Sequence, residues 1–128
     1  MKNKLLIIQA NYYKDISTAL LKSAKNELKN FAKINVISVP GVFEIPVVIS
    51  KNLKKYDGFV ALGCVIKGQT PHFDFISKST TDAIMNISVV SKKPVGNGII
   101  TCLNKMQAIA RGKKGGEAAN AVKTILSL

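Results

Sequence analysis

Histidine and arginine occur once each in this chain of 128 residues, cysteine twice, and tryptophan not at all. Two cysteines and one histidine cannot complete a four-ligand structural zinc site, so Cys64 and Cys102, each closing an apolar run, read as reduced, small buried hydrophobes. No apolar stretch approaches the roughly 20 residues that span a bilayer. Leu5 to Ala10 is too short for a secretion signal and runs straight into polar Asn11. A cytoplasmic protein with no membrane contact is the expectation. Repeats, linkers and low-complexity segments are missing too, and a 47% hydrophobic chain of this length fits one globular domain over 1–128.

Acidic residues are scarce, seven against nineteen basic ones, which leaves a formal net charge of +12. Such an excess raises nucleic acid as a partner. The lysines are scattered over every helical segment, however, with no aromatic RNA-binding strand, zinc finger or basic arm to organise them. They read as solvated faces, and no nucleic-acid partner is expected. Arg111 stands apart, because a lone guanidinium among eighteen lysines offers a planar, bidentate phosphate ligand that lysine cannot replace.

Apolar periodicity gives the element order. Lys4 to Ala10 is a buried strand, and Ile16, Leu20, Ala24, Leu28 and Phe31 mark one face of a helix that Asp15 or Ser17 can cap. Ile34 to Val39 makes a second strand, followed by Pro40-Gly41 and a short helix with Pro46 in its first turn, where a missing N–H costs little. Tyr56-Asp57-Gly58 turns the chain into a third strand that runs to Ile66. A long helix then keeps the period of Phe73, Ile76, Thr80, Ala83, Ile84, Ile87 and Val90, and Lys92-Lys93-Pro94 ends it. Val95 to Leu103 is the fourth strand, and Asn104 can cap a short helix through Ile109. Gly115-Gly116 breaks the chain before a last helix with Ala118, Val122, Ile125 and Leu126 on one stripe.

Four strands alternating with helices predict a flavodoxin-like three-layer α/β/α sandwich around a four-stranded parallel sheet. Right-handed crossovers bring the carboxyl ends of all strands to one edge, where open α/β sheets bind ligands. That edge gathers Asn11-Tyr12-Tyr13, Pro40 to Glu44, Gly63 to His72 and Cys102 to Asn104. The most informative stretch is Gly63-Cys64-Val65-Ile66-Lys67-Gly68-Gln69-Thr70-Pro71-His72-Phe73-Asp74. It packs a strand end, a glycine turn, a helix start and the only histidine into one loop. The N–H groups of Gly68, Gln69 and Thr70, placed at a helix N-terminus, would cradle an anion such as phosphate. His72 beside them is the candidate proton carrier. Glu44 can hydrogen-bond a polar ligand, Tyr12 can stack on a flat heterocycle, and Glu117 opens the last helix.

This arrangement resembles the lumazine synthases, whose signature combines such a strand and loop with an upstream segment, here Val39-Pro40-Gly41-Val42-Phe43-Glu44-Ile45-Pro46, and a tail element, here Lys114-Gly115-Gly116-Glu117-Ala118-Ala119. Three motifs in family order cover nearly the whole chain. The resemblance implies condensation of 5-amino-6-ribitylaminouracil with 3,4-dihydroxy-2-butanone 4-phosphate to 6,7-dimethyl-8-ribityllumazine, with no metal and no cofactor. It implies that Tyr12 stacks on the pyrimidine, that Val42, Phe43 and Glu44 hold the ribityl chain, and that Cys64, Val65 and Ile66 line the ring. It further implies that Gly68, Gln69, Thr70 and Arg111 bind phosphate, that Lys114 touches the pyrimidine, and that Glu117 partners the catalytic His72. The family's sites lie between subunits of a homopentamer, the segment from Asn97 to Glu117 coming from the neighbour.

Two positions depart from the family pattern. Asn97 stands where many members carry an aromatic residue, and the stretch from Arg111 to Lys114 is shorter than the family's glycine-lysine loop. The short N-terminus and this loop give the expectation of a pentamer that does not close into a sixty-subunit shell. Two rival readings share the fold: an archaeal-type riboflavin synthase relative, against which the Gly68-Gln69-Thr70 cradle and His72 argue, and a riboflavin- or lumazine-binding protein without turnover. A response-regulator receiver is excluded, since no acidic cluster follows the first strand or ends the third.

Overall fold

A computed structural model describes residues 3–128. Its elements are β1 (Asn3–Ala10), α1 (Lys14–Leu28), β2 (Ala32–Val39), a single 3-10 turn (Val42–Glu44), α2 (Ile45–Lys51), β3 (Gly58–Ile66), α3 (His72–Ser91), β4 (Val95–Cys102), α4 (Lys105–Ala110) and α5 (Lys114–Leu126). The sheet runs β2-β1-β3-β4 with every pairing parallel. The predicted three-layer α/β/α architecture is therefore present. No helix among the described residues is long and apolar enough to cross a membrane.

Two cores flank the sheet, and the central strands feed both. Leu5 and Ile7 of β1 and Val60 and Leu62 of β3 join α1 and α5 on one face. Leu6, Ile8, Phe59 and Ala61 join α2 and Ile84 of α3 on the other. Successive strand side chains point to opposite faces, so a strand covered on both reads as an unbroken apolar run. Each of these strand Leu, Ile, Val and Phe side chains is fully buried, and burial of one such side chain contributes about 1.5–3 kcal/mol.

Several boundaries differ from the sequence expectation. Phe31 lies beyond α1, in the turn before β2. Neither Asp15 nor Ser17 caps α1. The cap position is Tyr13, Asp15 Oδ1 accepts from the adjacent Ile16 N, and the Ser17 hydroxyl instead donates to the Ala10 carbonyl at 2.7 Å. β4 ends at Cys102, leaving Leu103 61% exposed. Asn104 does cap α4: its Oδ1 accepts from Gln107 N, and Gln107 Oε1 accepts from Leu103 N, a reciprocal capping arrangement. Val90 and Ile125, placed by periodicity on inner stripes, are 73% and 50% exposed.

The largest correction concerns Gly115 and Gly116, which lie in the first turn of α5 instead of before it. A Cβ on Gly115 would stand 2.1 Å from the Leu20 carbonyl oxygen of α1, and the Gly116 N–H donates to Ser23 Oγ at 2.9 Å. The glycines are there for close helix contact, and that contact outweighs their poor helix propensity. Replacing Gly115 by Ala is expected to lower stability by about 1–3 kcal/mol despite alanine's better propensity, as overpacking does. Gly68→Ala, where a Cβ meets nothing within 4 Å, should stay within about 0.5 kcal/mol of the parent. Urea denaturation midpoints compare the two, and an unchanged Gly115→Ala midpoint would mean that α5 shifts off α1 without cost.

Candidate active site

The chain leaves β1 for β2 on one side and returns to β3 on the other, so the switch in strand order falls between β1 and β3. A cleft of about 580 Å³ opens there, at the carboxyl ends of the strands. Tyr12 and Tyr13 reach it from the end of β1, and Gly41 to Glu44 from the end of β2. Cys64, Val65 and Ile66 line it from β3, with His72 and Ile76 at the start of α3.

Local structure fixes each wall. Asn11 N donates to the Val39 carbonyl at 3.0 Å, which ties the exits of β1 and β2 together just before Tyr12. The 3-10 turn is seated by Val42, which is buried against β3 where residue 63 is glycine; a Cβ there would stand 2.5 Å from Val42 Cγ1. That seating turns Phe43 outward, 62% exposed, and leaves Glu44 half-buried in the wall. Lys67 N donates to the Cys102 carbonyl at 2.9 Å, extending the β3–β4 ladder beyond the strand.

Cleft chemistry is mostly apolar and aromatic, with one carboxylate and one imidazole. Burial, reinforced by the neighbouring Cys102 thiol and more weakly by Asp15, pushes the Cys64 thiol up to about 12. It is a neutral wall at working pH, not a nucleophile. Among the described residues no three His, Cys, Asp or Glu side chains are grouped to hold a metal ion.

The predicted anion cradle lies elsewhere than expected. α3 begins at His72, so Gly68, Gln69 and Thr70 occupy the exposed loop before the helix and do not line the cleft. The nearest link is a long hydrogen bond from His72 N to Thr70 Oγ1, 3.4 Å. Pro71 at the cap position forces the helix to start after the glycine turn.

The remaining candidates form a second group. Arg111, Lys113, Lys114 and Glu117 line a separate cleft of about 530 Å³ against Ile99 to Thr101 of β4. One Arg111 nitrogen donates to the Thr101 carbonyl at 3.2 Å and approaches Cys102 Sγ at 3.8 Å. That bond anchors the guanidinium on the edge strand. Asn97 is exposed on β4 and its Oδ1 accepts from Ile99 N at 3.0 Å; it lines neither cleft. His72 and Glu117 thus face different clefts of the same chain. Sequence reading gave no role to Tyr13 or Ile76; adjacency to Tyr12, and a place one turn after His72 on the inner face of α3, were the available signals.

A family model described as 6,7-dimethyl-8-ribityllumazine synthase matches residues 2–128. Among curated relatives, the 6,7-dimethyl-8-ribityllumazine synthase of Agrobacterium fabrum is 44% identical over 140 residues, covering 99% of this chain and 95% of that protein. The protein of that name from Bartonella tribocorum is 43% identical, covering 99% and 90%. A 6,7-dimethyl-8-ribityllumazine synthase 1 of Rhodopseudomonas palustris is 42% identical, covering 98% and 85%.

The raised Cys64 thiol has a direct chemical readout. With a thiol at about 12, the thiolate at pH 8 is roughly 1,000-fold scarcer than for an ordinary cysteine, and alkylation needs the thiolate. Iodoacetamide followed by mass spectrometry should show Cys64 modified far more slowly than a free thiol at pH 8. Because the folded-state value lies above the unfolded one, the stability contributed by this neutral thiol is fully present below about pH 8.5 and is lost as the pH rises toward 12. Rapid labelling of Cys64 in the folded protein at pH 8 would contradict both statements.

Proposed function

The chain belongs to the 6,7-dimethyl-8-ribityllumazine synthase family, and from that premise we infer that it is the transferase of riboflavin biosynthesis that condenses 5-amino-6-ribitylaminouracil with 3,4-dihydroxy-2-butanone 4-phosphate. The products are 6,7-dimethyl-8-ribityllumazine, phosphate and water. The observation that carries the site assignment is the cleft at the β1/β3 switch, which unites an exposed aromatic ring, a carboxylate and the chain's only imidazole. Polar, phosphorylated substrates of this kind place the reaction in the cytoplasm.

In this reading Tyr12 stacks on the pyrimidine, Val42, Phe43 and Glu44 hold the ribityl chain, and Cys64, Val65 and Ile66 form a neutral wall beside the ring. The substrate amine attacks the ketone to give an imine with loss of water. The neighbouring carbinol carbon loses a proton as phosphate leaves the terminal carbon, and the resulting enol tautomerises to a ketone. The ribitylamino nitrogen closes the ring on that carbonyl with loss of a second water. The protein's part is to position two substrates and to move protons, His72 being the proton carrier. The phosphate lies against Arg111, with Lys114 toward the pyrimidine and Glu117 toward His72; Gly68, Gln69 and Thr70 meet the phosphate from the exposed loop before α3.

We further propose a homopentamer in which each site joins the first cleft of one subunit to the second cleft of the next. Two observations support it. Residues that one substrate pair needs together line two clefts of one chain. Large apolar side chains also stand outward on α3 and around α4, including Phe75, Met85, Val89, Leu103, Met106 and Ile109, a surface that a head-to-tail ring would cover.

Mixing the purified protein with both substrates should generate lumazine absorbance, and ligand binding without turnover would overturn the assignment. His72→Ala is expected to lower kcat by roughly 10- to 1,000-fold without loss of the fold. Arg111→Ala should raise KM for the butanone phosphate well above its effect on KM for the pyrimidine.

Complementation tests the shared site. Light scattering should give about five times the 13.8 kDa chain mass. His72→Ala and Arg111→Ala subunits refolded together should rebuild roughly a quarter of the sites in a head-to-tail ring, whereas a site confined to one chain would recover none.

A further inference from the structure

An exposed aromatic ring on a loop stacks reproducibly on a substrate only if something fixes its orientation. Tyr12 is 75% exposed, and its hydroxyl makes no hydrogen bond among the described residues. Its ring contact is Tyr13, edge-to-face, with ring centroids 4.9 Å apart and planes at 79°. Tyr13 is itself well held. Its side chain is half-buried against the core on the α1 side of the sheet, near the Cys64 thiol. Its carbonyl accepts from Ser17 N at 2.9 Å as α1 begins, and the buried Ser17 hydroxyl is tied to the Ala10 carbonyl. The rigid core, Tyr13 and Tyr12 therefore form a continuous support from the interior to the cleft.

We propose that Tyr13 is a positioning residue for the pyrimidine half of the reaction, holding the Tyr12 ring at the angle at which it stacks on the heterocycle. The inference rests on the function proposed above. Tyr13 acts by its shape and not by its proton, because burial first, then Tyr12 and Cys64, hold its phenol above the ordinary range and neutral at working pH. Its aromatic ring supplies the contact, so a phenyl group serves as well as a phenol.

Steady-state kinetics on the intact assembly, with both substrates varied, test this. Tyr13→Leu should raise KM for ribitylaminouracil about 3- to 10-fold, the scale of one lost aromatic pair, while KM for the butanone phosphate changes less than about twofold. Tyr13→Phe should restore the parent values and the parent pH profile. In a Tyr12→Ala background Tyr13→Leu should add nothing, since its effect passes through the removed ring. Should Tyr13→Leu lose its thermal transition, Tyr13→Met carries the same comparison with a side chain that fills irregular space.

Equal effects on both substrates, a shifted pH profile in Tyr13→Phe, or additive losses in the double variant would each overturn the proposal. An inactive parent protein would instead overturn the functional reading, whereas an active parent with an unchanged Tyr13→Leu removes only the role of Tyr13.

Discussion

Burial of the two central strands on both faces is the constraint from which the rest of the structure follows. β1 and β3 carry no exposed side from Leu5 to Ile8 and from Gly58 to Gly63, so helices must cover the sheet above and below. Right-handed crossovers on both faces then fix the order β2-β1-β3-β4 and bring all carboxyl ends to one edge. The cleft is a geometric consequence, because the loops after the neighbouring strands β1 and β3 lead to opposite faces of the sheet where the order switches. Its walls stay precise because the residues just before them sit in a fully packed sheet.

Much of this was legible because its signals are local or periodic. The apolar runs marked the strands, and Asn104 marked the start of α4, where its Oδ1 accepts from Gln107 N. Glycine was harder, since one residue type serves opposite ends. Gly115 was read as a breaker, yet it continues a helix because the backbone of Leu20 lies against it, a fact set by a residue 95 positions away in the sequence. The outward apolar residues of α3 failed for a related reason. Periodicity assigns one buried face to a helix, and a helix that has a second apolar side offers two candidate stripes.

Which candidates share the first cleft could be read from the strand ends, and the partition of the rest into a second cleft could not. Chemistry-bearing residues can be listed from motifs, and each of those in the first cleft stands where the strand ends place it. That Arg111, Lys114 and Glu117 line another cleft depends on how far α4 and α5 travel along the outer side of β4. No spacing rule encodes that distance. The His72 loop shows the same limit at smaller scale, since one proline decides whether three residues belong to a helix terminus or to a free loop.

The partition has an electrostatic logic of its own. An apolar, aromatic cleft with a neutral thiol suits a flat heterocycle, which gains little from nearby cations. Arg111, Lys113 and Lys114 line the second cleft instead, a setting that suits an anion such as the phosphate of the proposed reaction. Keeping Arg111 beside β4, with one nitrogen bonded to the Thr101 carbonyl, spends part of its donor set on rigidity and leaves the others for a ligand. In a chain of net charge +12, such anchoring matters more than the number of cations. Lysines elsewhere on the surface offer a diffuse field screened within about 8 Å at physiological ionic strength, whereas a fixed planar guanidinium supplies direction, and direction is what distinguishes a phosphate site from a merely basic surface.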